Sequence, residues 1–115
     1  MTTDKRQLKR WHLIYYLRVF ENTADSLLGH VVDINEKGLR LVSEKPVETG
    51  KLFFLKMNYP QDDGLKGELC FEAESLWSNS DVNPIFFDTG FQIIKPNTEI
   101  HKIIKYLLEN LNFVN

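Results

Sequence analysis

Two arginines near the start of the chain have the side chains and the spacing of an anion-binding pair. Arg6 and Arg10 lie four residues apart in a basic segment, residues 1–10, which also contains Lys5 and Lys9. A guanidinium group donates paired hydrogen bonds to a phosphate and stacks on aromatic bases. The segment therefore predicts a flexible arm that closes over a phosphate-bearing ligand. A solvated tail of the same composition is an equally good interpretation.

A second group of polar residues surrounds a turn further along the chain. The Asp33 carboxylate can accept hydrogen bonds from the N–H edge of a guanine, and Asn35 can both donate and accept. Gly38 permits positive φ and a close approach of the backbone. Taken singly, a turn-capping Asp33 and an ordinary turn glycine are simpler explanations. The combination at one turn favours a binding site.

These residues need a scaffold, and the sequence predicts a mainly β one. Runs rich in Val, Ile, Tyr and Phe indicate six strands, at residues 11–21, 27–34, 39–43, 51–59, 68–77 and 85–94. Apolar residues at helical spacing then predict an amphipathic helix over about 97–112, begun by Pro96-Asn97-Thr98. We expect an antiparallel barrel or sandwich, with the helix covering an open end or one face.

The first two strands should bring the two polar groups together. Their connecting turn centres near Ala24, so the numbers of paired residues sum to about 48. Asp33 then lies opposite Tyr15, and Gly38 opposite Arg10. The arm should thus enter the barrel at the end where the 33–38 turn lies.

Two further residues are candidates for the same site. Arg40 follows Gly38 and can add positive charge near the pocket. Trp77 ends the face of the fifth strand that also carries Leu69, Phe71, Ala73 and Ser75, which predicts an inward position near the barrel mouth. There the indole can contact a base, although a core or rim aromatic is the favoured interpretation.

Composition limits the classes of function. A chain of 115 residues with net charge −2 fits one domain, residues 11–115 after the arm, and argues against a nucleic-acid partner. The rival hypothesis of an oligonucleotide-binding barrel, with Tyr15, Tyr16 and Phe20 as stacking aromatics, is opposed by the same charge. A single cysteine, Cys70, excludes an internal disulfide and indicates a reducing compartment.

Several other absences point the same way. No signal peptide and no apolar stretch long enough to cross a bilayer are present, which predicts a cytoplasmic protein without membrane insertion. The three histidines have no metal-ligand spacing, and no nucleophile–base pair is visible. We therefore expect neither an enzyme nor a metal or cofactor.

The ordered pattern resembles the PilZ domain, a bacterial receptor family for cyclic di-GMP. The family signature is Arg-x-x-x-Arg followed, after 20 to 30 residues, by Asp/Asn-x-Ser-x-x-Gly. Arg6 and Arg10 match the first element, Asp33 and Gly38 match the second, and Asn35 stands in the serine position. The resemblance covers the whole chain, including Gly90-Phe91 and the closing helix.

The resemblance implies a fold and a function. The fold is a six-stranded antiparallel PilZ-type β-barrel with a C-terminal α-helix and a flexible basic N-terminal arm. The function is cyclic di-GMP binding through Arg6, Arg10, Asp33, Asn35 and Gly38, with Lys5, Arg40 and Trp77 as additional contacts. Binding would change the arm's conformation and signal to a protein effector in motility or biofilm control. The alternative, prompted by Asn35, is a degenerate PilZ adaptor that contacts proteins without binding nucleotide.

Overall fold

The computed structural model describes residues 17–24, 26–61 and 66–110. These residues form six strands and one helix in the predicted order. The elements are β1 (Arg18–Glu21), β2 (Ser26–Ile34), β3 (Gly38–Ser43), β4 (Leu52–Pro60), β5 (Lys66–Ser80), β6 (Phe87–Ile94) and α1 (Thr98–Asn110). No helix in this part of the chain is long and apolar enough to cross a membrane.

The six strands close into an antiparallel barrel in the order β1-β2-β3-β6-β5-β4, with β1 also pairing with β4. Alternate residues of β4 and β5 point into it, as period-two strands require. In β5 the predicted inward residues Leu69, Phe71, Ala73 and Ser75 are all buried. Phe53 of β4 packs edge-on against Phe91 of β6, with ring centroids 5.7 Å apart. The barrel interior is therefore a filled core, and a ligand must bind elsewhere.

The helix begins where the sequence predicted. The Asn97 side-chain oxygen accepts a hydrogen bond from the Ile100 backbone N–H at 2.9 Å, which is the geometry of an N-cap. Ile100, Ile104 and Leu107 are buried in the barrel's apolar core. The helix thus closes the core and takes no part in the outer surface discussed below.

The β1–β2 pairing confirms the hairpin prediction where it can be seen. Arg18 pairs with His30 and Val19 with Gly29, and in both pairs the residue numbers sum to 48. After a register shift between Val19 and Phe20, the two pairs nearer the turn sum to 47. The Val31 N–H donates to the Leu17 carbonyl at 3.0 Å, which continues the register of Arg18 and His30. The predicted partners Tyr15 and Arg10, like the first part of the predicted strand, lie outside the described residues.

Other predicted boundaries were wrong by several residues. β5 continues to Ser80, into the predicted 78–84 loop, because it pairs with β6 as far as Phe87. β6 begins at Phe87, whereas Ile85 lies in the turn before it and is 66% exposed. The paired strands of the β5–β6 hairpin are therefore longer than predicted, and the loop that connects them occupies residues 81–86.

The described strands contain three register shifts, and two of them, at β-bulges in β2 and β5, determine which of the candidate side chains face outwards. Val31 pairs with Leu41 and Asp33 with Arg40, so Val32 is an extra residue in β2. A bulge of this kind reverses the alternation of the strand beyond it. Asp33 consequently shares the outer face of the barrel with Arg40.

The second bulge lies in β5. Ser75 pairs with Phe91 and Trp77 with Gly90, which leaves Leu76 as the extra residue. The prediction that Trp77 faces inwards with Ser75 is therefore wrong. Its side chain lies on the outside of the barrel and is 40% exposed.

Candidate functional site

Four positions on neighbouring strands form a continuous row across the outside of the barrel. Each pairs directly with the next, and the row runs through Asp33 (β2), Arg40 (β3), Gly90 (β6) and Trp77 (β5). Neighbouring strands are about 4.8 Å apart, so the three steps span roughly 14 Å. The row places a carboxylate, a guanidinium group and an indole on one surface.

The row is the floor of an open cleft of about 450 Å³. That volume lies within the usual range for small-molecule sites. The cleft also includes the turn after β2 and the next outward residue of β6, and its other lining residues are Ile34, Asn35, Lys37, Gly38, Leu39, Leu76, Phe91 and Gln92. All five described candidates from the sequence, namely Asp33, Asn35, Gly38, Arg40 and Trp77, thus lie at one cleft.

The turn between β2 and β3 is held by Asn35. The side-chain oxygen of Asn35 accepts hydrogen bonds from the backbone N–H groups of Lys37 (2.8 Å) and Gly38 (3.1 Å). The backbone N–H of Asn35 donates to the Gly38 carbonyl (2.9 Å). This is the local bonding by which asparagine stabilises turns. Asn35 therefore caps the turn. The Asp33 side chain does not share this role, since its carboxylate receives no hydrogen bond from the described part of the chain.

Gly38 is needed for close packing of the backbone. It lies in β3 opposite Gln92, and a Cβ atom at this position would collide with the Phe91 carbonyl oxygen. The close approach that Gly38 allows is therefore to the neighbouring strand β6 of the same barrel. Gly38 does not use positive φ, because among the described glycines only Gly50 has positive φ, at 70°.

Gly90 has a similar relation to Trp77. A Cβ atom here would lie 2.8 Å from the indole Cζ2 and closer still to Cε2 and Nε1. The missing side chain lets the ring lie directly against the β6 backbone. Since Arg40 pairs with Gly90 from the other side, the glycine separates an aromatic ring from a cation.

Arg40 has a partner that the sequence analysis missed. Its Nη1 donates to Asp88 Oδ2 at 3.3 Å. Burial and the nearby Asp81 carboxyl raise the pKa of Asp88, against the opposing effect of Arg40. Period-two alternation along the predicted sixth strand places Asp88 on the face of Gly90, but only the pairing of β3 with β6 brings Arg40 beside it.

The arm residues Lys5, Arg6 and Arg10 lie outside the described residues. The first described residue, Leu17, lies beside Val31 on β2, two residues before Asp33. In the described part of the chain, no group of three or more His, Cys, Asp or Glu side chains could hold a metal ion.

Comparison with known proteins identifies the family of this barrel. The family model of the PilZ domain matches residues 4–110, so the chain belongs to the PilZ domain family. Among solved structures, the chain is similar to the PilZ domain with cyclic di-GMP of YcgR from Escherichia coli. That match has a TM-score of 0.61 and 14% sequence identity, and it covers 84% of this chain and 81% of that chain. At this sequence identity, the match supports the fold alone. No curated protein matches the sequence.

Proposed function

We propose that this chain is a cyclic di-GMP receptor whose ligand binds in the cleft above the Asp33–Trp77 row. The observation that carries the proposal is the register across β2, β3, β6 and β5, since it aligns groups suited to each part of a guanine nucleotide. Family membership and the bound ligand of YcgR support the choice of nucleotide.

Each polar group has a role that its chemistry and position suggest. The Asp33 carboxylate is exposed and can accept hydrogen bonds from two N–H groups of a guanine edge. Arg40 can donate to a phosphate, and the Trp77 ring can stack on a base. The Asn35 oxygen is used within the turn, so its amide NH₂ group is what this residue can offer a ligand.

The N-terminal arm can reach the cleft. Arg10 precedes Leu17 by seven residues and Arg6 by eleven. At about 3.3–3.6 Å per extended residue, these lengths are roughly 25 and 38 Å, greater than the row's own span. The arm, residues 1–10, would therefore close over the ligand, with Arg6 and Arg10 on phosphate and guanine and Lys5 nearby.

Closure of the arm provides the signal in this proposal. A segment that becomes ordered only on binding changes the surface that the domain presents to other proteins. The partner would be a cytoplasmic protein effector in motility or biofilm control. The domain itself would act as a binding module and not as an enzyme.

Isothermal titration calorimetry with cyclic di-GMP tests the proposal. Because a hydrogen bond to a charged group contributes about 1.5–3 kcal/mol, Arg6→Ala and Arg10→Ala should each weaken binding by roughly 10- to 150-fold. Lys9→Ala is the matched control, since it removes a cation of the same arm outside the arginine pair, and it should change affinity much less. Absence of heat at high micromolar ligand, or unchanged affinity in both arginine variants, would refute the proposal.

The adaptor alternative rests on Asn35. Its side chain is larger than the serine of the family signature, and it lies at the cleft. If Asn35→Ser binds cyclic di-GMP whereas the wild type does not, and if a protein partner is retained by both arginine variants, the adaptor function is the correct one.

A further inference from the structure

The ion pair between Arg40 and Asp88 lies beside the proposed site and is weakly constrained. One nitrogen meets one oxygen at 3.3 Å, and the two side chains are 33% and 17% exposed. Strong arginine–carboxylate pairs are shorter, at about 2.7–2.9 Å, and often use two hydrogen bonds. Arg40 also lines the cleft. The guanidinium group is therefore available to exchange its present partner for a stronger one.

Asp88 depends on Arg40 for compensation of its charge. Its Oδ1 atom is buried and has no hydrogen-bond partner in the described part of the chain. Burial raises the pKa of Asp88, and so does Asp81 from the β5–β6 turn, through its charge and a side-chain hydrogen bond that favours the protonated carboxyl group; Arg40 from β3 lowers the pKa. The residues paired with Asp88 on either side, Val42 and Asn79, are uncharged. If Arg40 moved to another anion, the Asp88 carboxylate would lose its cation and become easier to protonate.

We propose that Asp88 determines the affinity of the cleft for its ligand, because its carboxylate competes with the ligand phosphate for Arg40. Ligand binding is then coupled to the uptake of a proton by Asp88. The proposal rests on the proposed function of the cleft. The exchange is balanced. Arg40 keeps its charge and its N–H group donates a hydrogen bond to the phosphate instead of to Asp88, and Asp88 takes a proton from the solvent.

The direction of the pH dependence follows from linkage. Binding raises the pKa of Asp88 further, so the bound protein holds more protons than the free protein between the two pKa values. Affinity should therefore rise as the pH falls through that window. The window lies above the ordinary aspartate value of 3.8, since the pKa is already raised in the free protein.

The test is calorimetry of the full chain with cyclic di-GMP from about pH 4.5 to 7.5, in two buffers of different ionisation enthalpy, so that the range begins near the ordinary aspartate value. We expect the wild type to take up protons and to bind more tightly at the lower pH. Asp88→Asn should bind about 3- to 10-fold more tightly than wild type at pH 7.5, which corresponds to about 0.7–1.4 kcal/mol, and should show no proton uptake. Glu109→Gln is the control for loss of one negative charge away from the cleft, and it should behave like wild type.

A double-mutant cycle separates competition from a structural effect. Asp88→Asn should bring no gain in affinity when Arg40 is already alanine, because the contested cation is absent. A gain that persists in the Arg40→Ala background overturns the proposal. So does equal or weaker binding by Asp88→Asn when the wild type binds.

The outcomes also distinguish this proposal from the proposed function. If neither the wild type nor Asp88→Asn binds at any pH, the assignment of the ligand fails and the competition fails with it. If Asp88→Asn alone binds measurably, the wild type is not a receptor under these conditions and the proposed function fails, whereas the competition is supported, because removal of the competing carboxylate has made the site available.

Discussion

Substitution of Gly90 by alanine should displace the Trp77 indole while leaving the sheet intact. The new Cβ would lie 2.8 Å from Cζ2 and closer still to Cε2 and Nε1, and ordinary contact begins at 3.4 Å, so the ring must retreat by more than about 0.6 Å. The atoms in conflict belong to a side chain that is 40% exposed, which can swing towards solvent. Loss of roughly 40–80 Å² of apolar contact, at about 25 cal/mol per Å², predicts destabilisation of about 1–2 kcal/mol.

The measurement is urea unfolding of four proteins: wild type, Gly90→Ala, Trp77→Ala and the double variant. Without the indole, the alanine at position 90 meets no ring, and it restricts the unfolded chain, which stabilises a protein by about 0.4–1 kcal/mol. The effect of Gly90→Ala should therefore change sign in the Trp77→Ala background. An equal loss in both backgrounds would show that strand pairing, not the indole contact, requires the glycine, and would refute the reasoning.

Three further predictions concern stability. Gly38→Ala should lower the free energy of unfolding in urea by about 2–4 kcal/mol. The reason is that the new Cβ meets the backbone oxygen of Phe91, which can move only if β3 and β6 separate. A decrease below about 1 kcal/mol would contradict this prediction. Asn97→Ala should cost about 1 kcal/mol by the same assay, through loss of the N-cap of α1, and an unchanged midpoint would exclude that role. Burial, assisted by Arg18, lowers the pKa of His30. The folded protein thus binds a proton at His30 less readily than the unfolded protein does. The contribution of neutral His30 to the free energy of unfolding is therefore fully present above about pH 6.5 and is lost as the pH falls towards the lowered pKa. Unfolding at pH 7.5 and 5.5 should show this loss in wild type and a smaller one in His30→Gln; identical slopes would count against it.

The parts of the fold that were predictable depend on local rules. Paired residue numbers in the first hairpin follow from the position of its turn, and the pairing of Arg18 with His30 agrees with it. The helix start follows from the capping chemistry of Asn97, and its buried face from the spacing of Ile100, Ile104 and Leu107. In each case the determining contacts lie within a few residues along the chain, or across one short turn.

The grouping of the candidate residues follows in part from the sequence. Asp33, Asn35 and Gly38 surround one turn, Arg40 follows it, and all four line the same cleft. The contact between Arg40 and Asp88 was not predicted, because the two residues are distant in sequence and become neighbours only through the β3–β6 pairing. Contacts between non-consecutive strands depend on the strand order of the barrel, and a single sequence carries little direct information about that order.

The orientation of Trp77 illustrates a different limit. Period-two reasoning counts residues, whereas a bulge adds one without advancing the pairing, and nothing in the run around Leu76 marks such an addition. Val32 makes the same change in β2, so the row has an extra residue in each of its two outer strands, β2 and β5, while its central strands, β3 and β6, pair regularly. Strict alternation would turn both Asp33 and Trp77 towards the filled core, where an unpaired carboxylate is costly. The two bulges thus allow one barrel to keep its apolar interior and still present an acid and an indole on either side of Arg40, which is the surface to which we propose that the ligand binds.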